Sequence, residues 1–599
     1  MSFLAGRRAG ARGPLTLAYV CAIASGLLVI VQAALAARLI DRVLFAHQPL
    51  DTATPEIIAV VAVVAARALA GFGAERAGFA AAVRVMRGLR AELLDHAERL
   101  GPVGLAGLRV GETVAALSAG VRAVEPYYTR YLPASVTSVL LPLAILAVVF
   151  PLDWVSGLIF LVTAPLIPLF MILIGKGAEA LNQRQWRALT RMSGHLLDAV
   201  QGLATLKAFN AAGRMTAEVA SVADAYRRDT MGVLRVAFLS SLVLEFFATV
   251  SIAMAAIFIG FRLLWGEMSF FHGLFVLLLA PEFYQPLRAM GAAYHARMEA
   301  MGAAERLIAL AETPSPAEPG GTRTLPEPER IALTFENVRL DFADGRRALD
   351  GVTLHVPAGA RVALVGASGA GKSSLLHLAL GFARPSAGRV LANGVPLGEL
   401  EMAGWRARIA FAGQRPRLFA GTLADNIAPG EDAPDADRLA GAVAAAGLGG
   451  VVARLAGGRA DGAGDAATDA AGVIAAGLAM PIGEGGAGLS GGEAHRLALA
   501  RAFYRAAPLV LLDEPTAHLD ATTEREVQAA LQRLIAGRTA LFAVHRLAQA
   551  DGADLVAVLD AGRLVEFGPP DVLLRAGGAY ARLRAAARAE ASAAVEVLP

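Results

Sequence analysis

The sequence predicts a six-helix membrane domain followed by a soluble α/β domain, and three observations support this fold class. The chain is 56% hydrophobic and only 18% charged, whereas a soluble protein carries about 25% charged residues. Long apolar runs occur in the first half of the chain. From residue 331 onward, short β-branched runs alternate with helical patterns, as expected for an α/β domain.

Six apolar stretches predict the membrane helices. A helix needs about 20 apolar residues to cross the hydrocarbon core, because each residue advances only about 1.5 Å. Helices are expected because an open strand would leave backbone groups unpaired in lipid. The second stretch is the weakest, since it is rich in alanine and carries Arg67. The predicted spans are residues 15–37, 55–75, 132–150, 153–175, 236–264 and 270–290.

Basic residues beside these spans predict the orientation in the membrane. Arg7, Arg8 and Arg12 place the N-terminus in the cytoplasm, and the intervals 76–131 and 176–235 carry further basic residues on the same side. Arg38 and Arg42 are exceptions, since they fall on the opposite side. The net charge of the whole chain is only +3, which gives no reason to expect a nucleic-acid partner.

A change in composition marks the domain boundary. Residues 312–330 are rich in proline and glycine, which end a helix and are typical of a linker. The predicted organisation is therefore a membrane domain at 1–311, a linker at 312–330, a second domain at 331–575 and a C-terminal tail at 576–599. The stretch 456–480 consists mostly of Gly, Ala and Asp and is interpreted as a loop.

A glycine-rich segment after the apolar strand at 361–365 fits the complete P-loop pattern. Its glycines let backbone amides wrap phosphate oxygens at the start of a helix. Lys372 is expected to reach the β- and γ-phosphates of ATP, and the Ser373 hydroxyl to bind Mg²⁺. The residues expected to contact the nucleotide here are Gly366, Ala367, Ser368, Gly369, Ala370, Gly371, Lys372, Ser373 and Ser374.

A second apolar strand, at 509–512, ends in two acidic residues. The end of such a strand delivers carboxylates to the carboxyl edge of a parallel sheet, where ligands bind. We expect Asp513 to hold the Mg²⁺ shell and Glu514 to polarise the attacking water as a general base.

The segment 489–493, Leu-Ser-Gly-Gly-Glu, resembles the LSGGQ signature of ABC ATPases, with Glu493 where the family carries an amide. The resemblance implies that Ser490, Gly491, Gly492 and Glu493 bind the γ-phosphate of an ATP held by the P-loop of a partner. Two cassettes would then enclose two nucleotides. A second ABC half-transporter is therefore the implied partner.

Four further positions match this family one by one. Phe342 corresponds to the aromatic residue that stacks on adenine, although a strand phenylalanine packed in the core is the alternative. Gln414 matches the loop glutamine that contacts Mg²⁺ and senses the membrane domain. Asp520 closes the counterpart of the D-loop, and His545 matches the switch histidine at the γ-phosphate. Glu514, His545, Lys372 and Gln414 are the implied catalytic group.

The order of the two domains resembles the type IV ABC exporters. The intervals 76–131 and 176–235 have a helix-favouring composition, like the long intracellular loops of that family. The segments 279–288 and 294–296 in the last span resemble the corresponding helix of the CydD-type subunits of the CydDC family. That resemblance implies a bacterial inner-membrane exporter of glutathione or cysteine that pairs with a non-identical CydC-type subunit and supports cytochrome bd assembly.

Ionisable residues inside the last two spans are candidates for a cargo site. Charged groups at that depth usually face an aqueous cavity or a paired partner. Both signs of charge would suit a zwitterionic thiol better than an apolar lipid. The alternative is that Glu282 and Arg288 lie near the cytoplasmic end of the helix and merely pair with neighbouring residues. The candidate residues are Glu245, Glu282, Tyr284 and Arg288.

Two other functions stay open. A homodimeric exporter of lipids or drugs would carry the same ATPase motifs, and so would a membrane ATPase that handles haem during cytochrome assembly. His272 and His295 are the candidate haem ligands, but a surface or packing role is the preferred interpretation. The expected cofactors are therefore ATP and Mg²⁺, and haem has no support in the sequence.

Overall fold

The computed structural model describes residues 2–45, 53–108, 110–326, 329–342, 344–457, 470–516, 521–544 and 546–596. Its internal contacts divide the chain into two units. The first contains Met1–His96 and Val110–Thr313, and the second contains Ala97–Arg109 and Pro314–Pro599. The division after Thr313 falls inside the proline-rich linker that the sequence predicts at 312–330.

The first unit is helical. Long helices extend well beyond the apolar segments, because the intervals after the second and fourth predicted spans continue in helical form. Helix α3 is broken at Gly101, which is followed by Pro102, and its residues from Ala97 onward belong to the second unit. The helices are α1 (Ser2–Gly6), α2 (Arg12–Leu44), α3 (Thr54–Ala106), α4 (Val110–Ala115), α5 (Leu132–Leu152), α6 (Trp154–Thr163), α7 (Leu166–Gln201), α8 (Leu203–Ala208), α9 (Ala212–Leu264) and α10 (Phe270–Ala311).

Helices cover all six predicted spans, but in the described part of the chain only four helices of the first unit are long and apolar enough to cross a membrane by themselves. These are Arg12–Leu44, Thr54–Ala106, Tyr127–Leu152 and Leu242–Leu264. The span predicted at 153–175 is interrupted at Ala164 and Pro165, between α6 and α7. The span predicted at 270–290 lies in α10 and carries Glu282 and Arg288. The number of membrane crossings therefore stays a prediction.

An aromatic cluster forms the core of the first unit. The rings of Phe160 and Phe283 stack at 4.9 Å, and Tyr284 meets both rings edge-on. All three side chains are fully buried. Association of membrane helices depends on packing and hydrogen bonds, because lipid is as apolar as the side chains. This cluster on α6 and α10 therefore supplies close contact between two helices.

The second unit is built on a six-stranded sheet with the strand order β12-β11-β3-β10-β9-β6. Five of its strands are parallel, and β12 pairs antiparallel at one edge. A separate antiparallel sheet has the order β2-β1-β4-β5, and β7 pairs with β8. The strands are β1 (Leu333–Asp341), β2 (Arg347–Val356), β3 (Arg361–Val365), β4 (Ala387–Ala392), β5 (Val395–Pro396), β6 (Ile409–Ala412), β7 (Gly421–Thr422), β8 (Pro481–Ile482), β9 (Leu509–Asp513), β10 (Thr539–Ala543), β11 (Leu555–Asp560) and β12 (Arg563–Gly568).

Successive residues of a strand contribute in turn to two hydrophobic cores, which lie on opposite faces of the central sheet. Val510 and Leu512 of β9 enter one core, and Leu509 and Leu511 enter the other. A strand buried on both faces must be apolar at every position, which explains the continuous apolar run before Asp513. The helices that accompany these sheets are α11 (Lys372–Ala379), α12 (Met402–Ala407), α13 (Leu423–Ile427), α14 (Ala436–Ala445), α15 (Gly449–Gly457), α16 (Ala470–Leu478), α17 (Gly491–Arg505), α18 (Ala521–Ile535), α19 (Pro570–Ala576) and α20 (Ala579–Glu596).

Two segments differ from their sequence interpretation. The stretch 456–480 is not loop throughout, because α16 occupies Ala470–Leu478. Alanine-rich sequence favours helix when no proline interrupts it. Residues of the predicted tail form α20, and the Tyr580 ring is fully buried against the core.

Candidate functional site

The predicted P-loop lies between the carboxyl end of β3 and the start of α11. Gly371 has a φ of 103°, and a Cβ atom there would lie 2.8 Å from the Ala348 carbonyl oxygen. A Cβ atom at Gly366 would lie 2.2 Å from the Leu559 carbonyl oxygen. Only glycine fits at these two positions, so the loop can keep its backbone amides turned toward a phosphate.

Lys372 is the first residue of α11 and is nearly buried, with 6% of its side chain exposed. Its Nζ donates hydrogen bonds to the carbonyl oxygens of Gly366 at 2.9 Å and Ala367 at 3.2 Å. The ammonium also lies 3.5 Å from Oε1 of Glu514. A cation is therefore held directly over the loop that would wrap the phosphates.

The Ser373 hydroxyl donates to Oδ1 of Asp513 at 3.0 Å, which joins the P-loop helix to the end of β9. Burial raises the pKa of Asp513 above its usual range, and the hydrogen bond from Ser373 opposes this shift without cancelling it. A divalent cation would favour the ionised carboxylate. A hydroxyl and a carboxylate are the oxygen ligands that Mg²⁺ accepts together with phosphate, so these residues fit the metal.

The side-chain amide of Gln414, just after β6, donates to Oε2 of Glu514 at 3.1 Å. Glu514 is thus held between Gln414 and Lys372, and it has a φ of 45°. Such a conformation is rare for a residue other than glycine, asparagine or aspartate, and strain of this kind collects at functional sites. The strain at Glu514 could not be read from the sequence.

Phe342 lies in the turn between β1 and β2, half-buried against one core. Its backbone N–H donates to the Arg346 carbonyl oxygen at 2.9 Å, and the Arg346 guanidinium lies 4.7 Å from the ring centroid. One ring face is therefore paired with a cation. The sequence indicated Phe342 but not Arg346, because any basic residue in a turn would have looked the same.

The signature segment begins α17 with a complete capping box. The Glu493 N–H donates to the Ser490 hydroxyl, and the Ser490 N–H donates to the Glu493 carboxylate at 2.7 Å. Arg454 pairs with the same carboxylate at 2.6 Å. Burial alone would raise the pKa of Glu493, but the hydrogen bonds from Ser490 and Arg454 outweigh it and lower the pKa. A glutamate at this position therefore stabilises the helix start locally.

His495 connects the signature helix to the glutamine loop. Its Nδ1 lies 2.9 Å from the Gly491 carbonyl oxygen, and its Nε2 lies 3.2 Å from the Gln414 carbonyl oxygen. The sequence gave no sign of this residue, because its two contacts reach 4 and 81 positions along the chain. The link is a route by which the position of Gln414 can depend on the signature helix.

The structure brings together five of the predicted nucleotide-site residues and leaves two outside the described part of the chain. Asp520 and His545 are the two outside it. The signature residues lie on a separate helix of the same unit. The residues that are brought together are Lys372, Ser373, Gln414, Asp513 and Glu514.

The candidate cargo residues of the first unit take different places. Arg288 pairs with Glu245, whose side chain is 61% exposed, so α10 and α9 are joined by this ion pair. Glu282 lies 3.5 Å from Nη2 of Arg67 on α3. The Tyr284 hydroxyl lies 2.7 Å from that of Thr163, and the whole side chain is buried in the core. Tyr284 therefore faces the interior of the helix bundle.

The two candidate haem ligands gain no support. Nδ1 of His272 lies 2.7 Å from the Ser269 hydroxyl, and this serine caps α10. The side chain of His295 lies outside the described part of the chain.

Two family models match the chain. The model described as the ABC transporter transmembrane region matches residues 15–287. The model described as ABC transporter matches residues 349–517. The two matched regions correspond to the helical unit and to the unit with the P-loop.

Several characterised proteins are similar over most of their length. A glutathione/L-cysteine transport system ATP-binding/permease protein, CydD of Escherichia coli, is 36% identical over 94% of this chain and 93% of its own. CydC of Bacillus subtilis, which carries the same description, is 33% identical over 84% of both chains. An ATP-dependent lipid A-core flippase of Chromobacterium violaceum is 30% identical over 88% of this chain and 87% of its own.

A solved structure of a bacterial Atm1-family ABC exporter with ATP bound is similar in fold. It superposes with a TM-score of 0.77 over 97% of this chain and 98% of its own, at 23% identity. The predicted fold class, a type IV exporter membrane domain followed by an α/β ATPase domain, is thereby confirmed.

Proposed function

The chain belongs to the ABC exporter family, among the relatives of CydD, and from this premise we propose that it moves a small thiol, such as glutathione or cysteine, out of the cytoplasm. Members of this family hydrolyse ATP to drive transport, and the ATPase domain is present here. The observation that supports the cargo is similarity along nearly the whole chain to proteins described as glutathione/L-cysteine transporters.

We assign the ATPase chemistry to the residues that converge at the end of the central sheet. Lys372 binds the terminal phosphates, and Ser373, Asp513 and Gln414 hold Mg²⁺, which neutralises phosphate charge when bound. Glu514 takes the role of general base, because its carboxylate is fixed between an amide and an ammonium. Phe342 stacks on adenine. Asp520 and His545 take the D-loop and switch roles.

The proposal includes a second, non-identical chain of the CydC type. Ser490, Gly491 and Gly492 form the N-terminus of α17, which suits an anion. The nucleotide that they bind is held by the P-loop of the partner, so each ATP needs both chains. The membrane would be the bacterial inner membrane, with the N-terminus and the ATPase domain in the cytoplasm. The exported thiol would supply the compartment outside the membrane, and through this supply the chain would support cytochrome bd assembly.

A lipid exporter is the second candidate, and the similarity to a lipid A-core flippase favours it. Its support is weaker, because that identity is lower than the identity to CydD. The polar pairs of α3, α9 and α10 carry both signs of charge, which suits a zwitterionic thiol.

Inverted membrane vesicles that contain the chain and its co-purifying partner test the proposal. We expect ATP-dependent uptake of labelled glutathione or cysteine, which Glu514→Gln abolishes. The matched variant Glu399→Gln changes an exposed carboxylate of the same domain and should leave uptake intact. ATP-dependent movement of a labelled lipid without thiol uptake would replace the thiol exporter with the lipid exporter.

A further inference from the structure

Three polar side chains from three helices meet inside the membrane unit. Nη1 of Arg67 on α3 donates to Oε1 of Gln32 on α2 at 3.1 Å. Nη2 of Arg67 lies 3.5 Å from Oε1 of Glu282 on α10. We call these residues, Gln32, Arg67 and Glu282, the polar triad.

All three residues of the polar triad lie inside predicted membrane spans, at 15–37, 55–75 and 270–290. Each residue is roughly twelve positions, or about 18 Å at 1.5 Å per residue, from the end of its helix at Leu44, Thr54 or Phe270. The ends of α2 and α10 are level, since the rings of Phe45 and Phe270 lie 4.1 Å apart. The start of α3 lies beside the end of α2, because Glu56 pairs with Arg42. A charge at this depth is costly and usually marks a cargo or ion pathway.

A second ion pair of the same unit shows what a structural pair looks like. Asp153 is only 1% exposed and pairs with Arg262. Its carboxylate also accepts from the Val155 N–H and the Ser156 hydroxyl. The hydrogen-bonding capacity of Asp153 is therefore spent inside the protein, where it caps α6.

The charged groups of the polar triad have fewer hydrogen-bond partners than Asp153. The side chains of Arg67 and Glu282 are 33% and 30% exposed, and the distance between them exceeds that of a strong charged hydrogen bond. Within the described residues, Arg67 is the one polar partner that the Glu282 carboxylate has. Both charges therefore keep accessible surface and bonding capacity at a depth where water is scarce.

We propose that the polar triad binds the α-amino acid end of the cargo. The Arg67 guanidinium takes the α-carboxylate, the Glu282 carboxylate takes the α-ammonium, and the Gln32 amide orients Arg67. This inference rests on the proposed function, since cysteine and glutathione both carry an ammonium and a carboxylate on one carbon. A thiol that lacks either charge leaves one protein charge unpaired, and a site built for hydrogen bonds rejects such analogues.

Uptake by proteoliposomes of the purified transporter tests the triad with three labelled thiols. Cysteine carries both charges, cysteamine lacks the carboxylate, and 3-mercaptopropionate lacks the ammonium. We expect the wild type to prefer cysteine over each analogue by at least about tenfold. Glu282→Gln should bring the ratio of cysteine to 3-mercaptopropionate uptake close to one and keep the ratio to cysteamine. Arg67→Gln should bring the ratio of cysteine to cysteamine uptake close to one and keep the ratio to 3-mercaptopropionate.

Matched controls come from the ion pair of Arg42 and Glu56, which joins the same helices α2 and α3 near their ends. Arg42→Gln and Glu56→Gln should leave both uptake ratios unchanged. If the neutral triad variants do not accumulate, Arg67→Lys and Glu282→Asp keep the charges. These two variants should raise the KM for cysteine at least about threefold with kcat preserved, because the contact distances change.

The outcomes separate the two proposals. If the wild type takes up thiols but the triad variants leave the uptake ratios unchanged, the polar triad alone is overturned. An unchanged cysteine KM in the charge-keeping variants has the same consequence. Absence of any thiol uptake by the wild type overturns the proposed function itself. If Glu282→Gln lowers only the ratio of cysteine to 3-mercaptopropionate, and Arg67→Gln only the ratio of cysteine to cysteamine, the triad is the site that recognises the two charges.

Discussion

The side-chain amide of Gln414 donates a hydrogen bond to Oε2 of Glu514 at 3.1 Å, and Oε1 of the same carboxylate lies 3.5 Å from the Lys372 ammonium. The carboxylate is thus fixed from both sides, on a backbone with a positive φ. A general base must be oriented before the water arrives. These two contacts supply that orientation, although Gln414 and Lys372 precede Glu514 by 100 and 142 residues in the chain.

We expect Glu514→Gln to lower ATP hydrolysis by at least about a hundredfold, the usual contribution of a general base. ATP affinity should stay within a few-fold, because Lys372 and the P-loop amides are unchanged. Steady-state hydrolysis and equilibrium binding of a labelled nucleotide measure the two quantities. Glu399→Gln is the control, and hydrolysis by Glu514→Gln at the rate of that control would show that another group activates the water.

A second prediction concerns the contact between His495 and the Gln414 backbone. His495→Ala removes a hydrogen bond worth about 1 kcal/mol, so we expect kcat for ATP hydrolysis to fall about fivefold. The KM for ATP should not change, since His495 contacts the Gln414 carbonyl oxygen and no P-loop residue. Enzyme kinetics on the reconstituted transporter provide the measurement. A raised KM with normal kcat would place His495 in nucleotide binding instead.

The capping box at the signature leads to a prediction about stability and pH. Glu493→Ala should cost about 1 kcal/mol at neutral pH, because it removes one half of the cap. The folded-state pKa of Glu493 is lowered by Ser490 and Arg454, so its stabilising contribution is present above the unfolded pKa of about 4.3 and is lost as pH falls through the folded value. The difference in thermal midpoint from wild type should therefore shrink below about pH 4.

Glu526→Ala is the control for this measurement. Glu526 lies on α18, and its carboxylate is 53% exposed and pairs with Arg496 of α17. The variant leaves the cap in place, and an ion pair with an exposed carboxylate contributes little. A loss of stability as large as that of Glu493→Ala, or a difference that grows toward acidic pH, would contradict the assignment of Glu493 to the cap.

Local patterns in the sequence predicted the large features correctly. The P-loop, the strand before Asp513 and the helical intervals after the second and fourth spans all depend on neighbouring residues, so periodicity and glycine spacing reveal them. The interruption of the fourth span at Pro165 was not predicted, because an apolar run hides a short break. The last span lies in α10, which carries Glu282 and Arg288 and is not among the described helices that are apolar enough to cross a membrane by themselves.

Partners distant in the chain could not be predicted. Arg67 weakened the prediction of the second span, and its partner Glu282 lies as far as 215 residues later in the chain. The same holds for Glu493, whose carboxylate meets Arg454 from a different helix. Tyr284 looked like a polar group for cargo, but three-dimensional packing buries it beside Phe160. Hydropathy reports the type of a residue and not the direction in which its side chain points.

The last prediction separates the two interpretations of Phe342. If its ring stacks on adenine, Phe342→Ala raises the KM for ATP by about tenfold, since stacking of a base on an aromatic side chain contributes about 1–3 kcal/mol. Phe342→Tyr should keep the wild-type KM, because the stacking surface is retained. If the ring serves only as packing against the core of the second unit, Phe342→Ala instead lowers the thermal midpoint and leaves the KM unchanged. ATP titrations and thermal unfolding of both variants decide between these results.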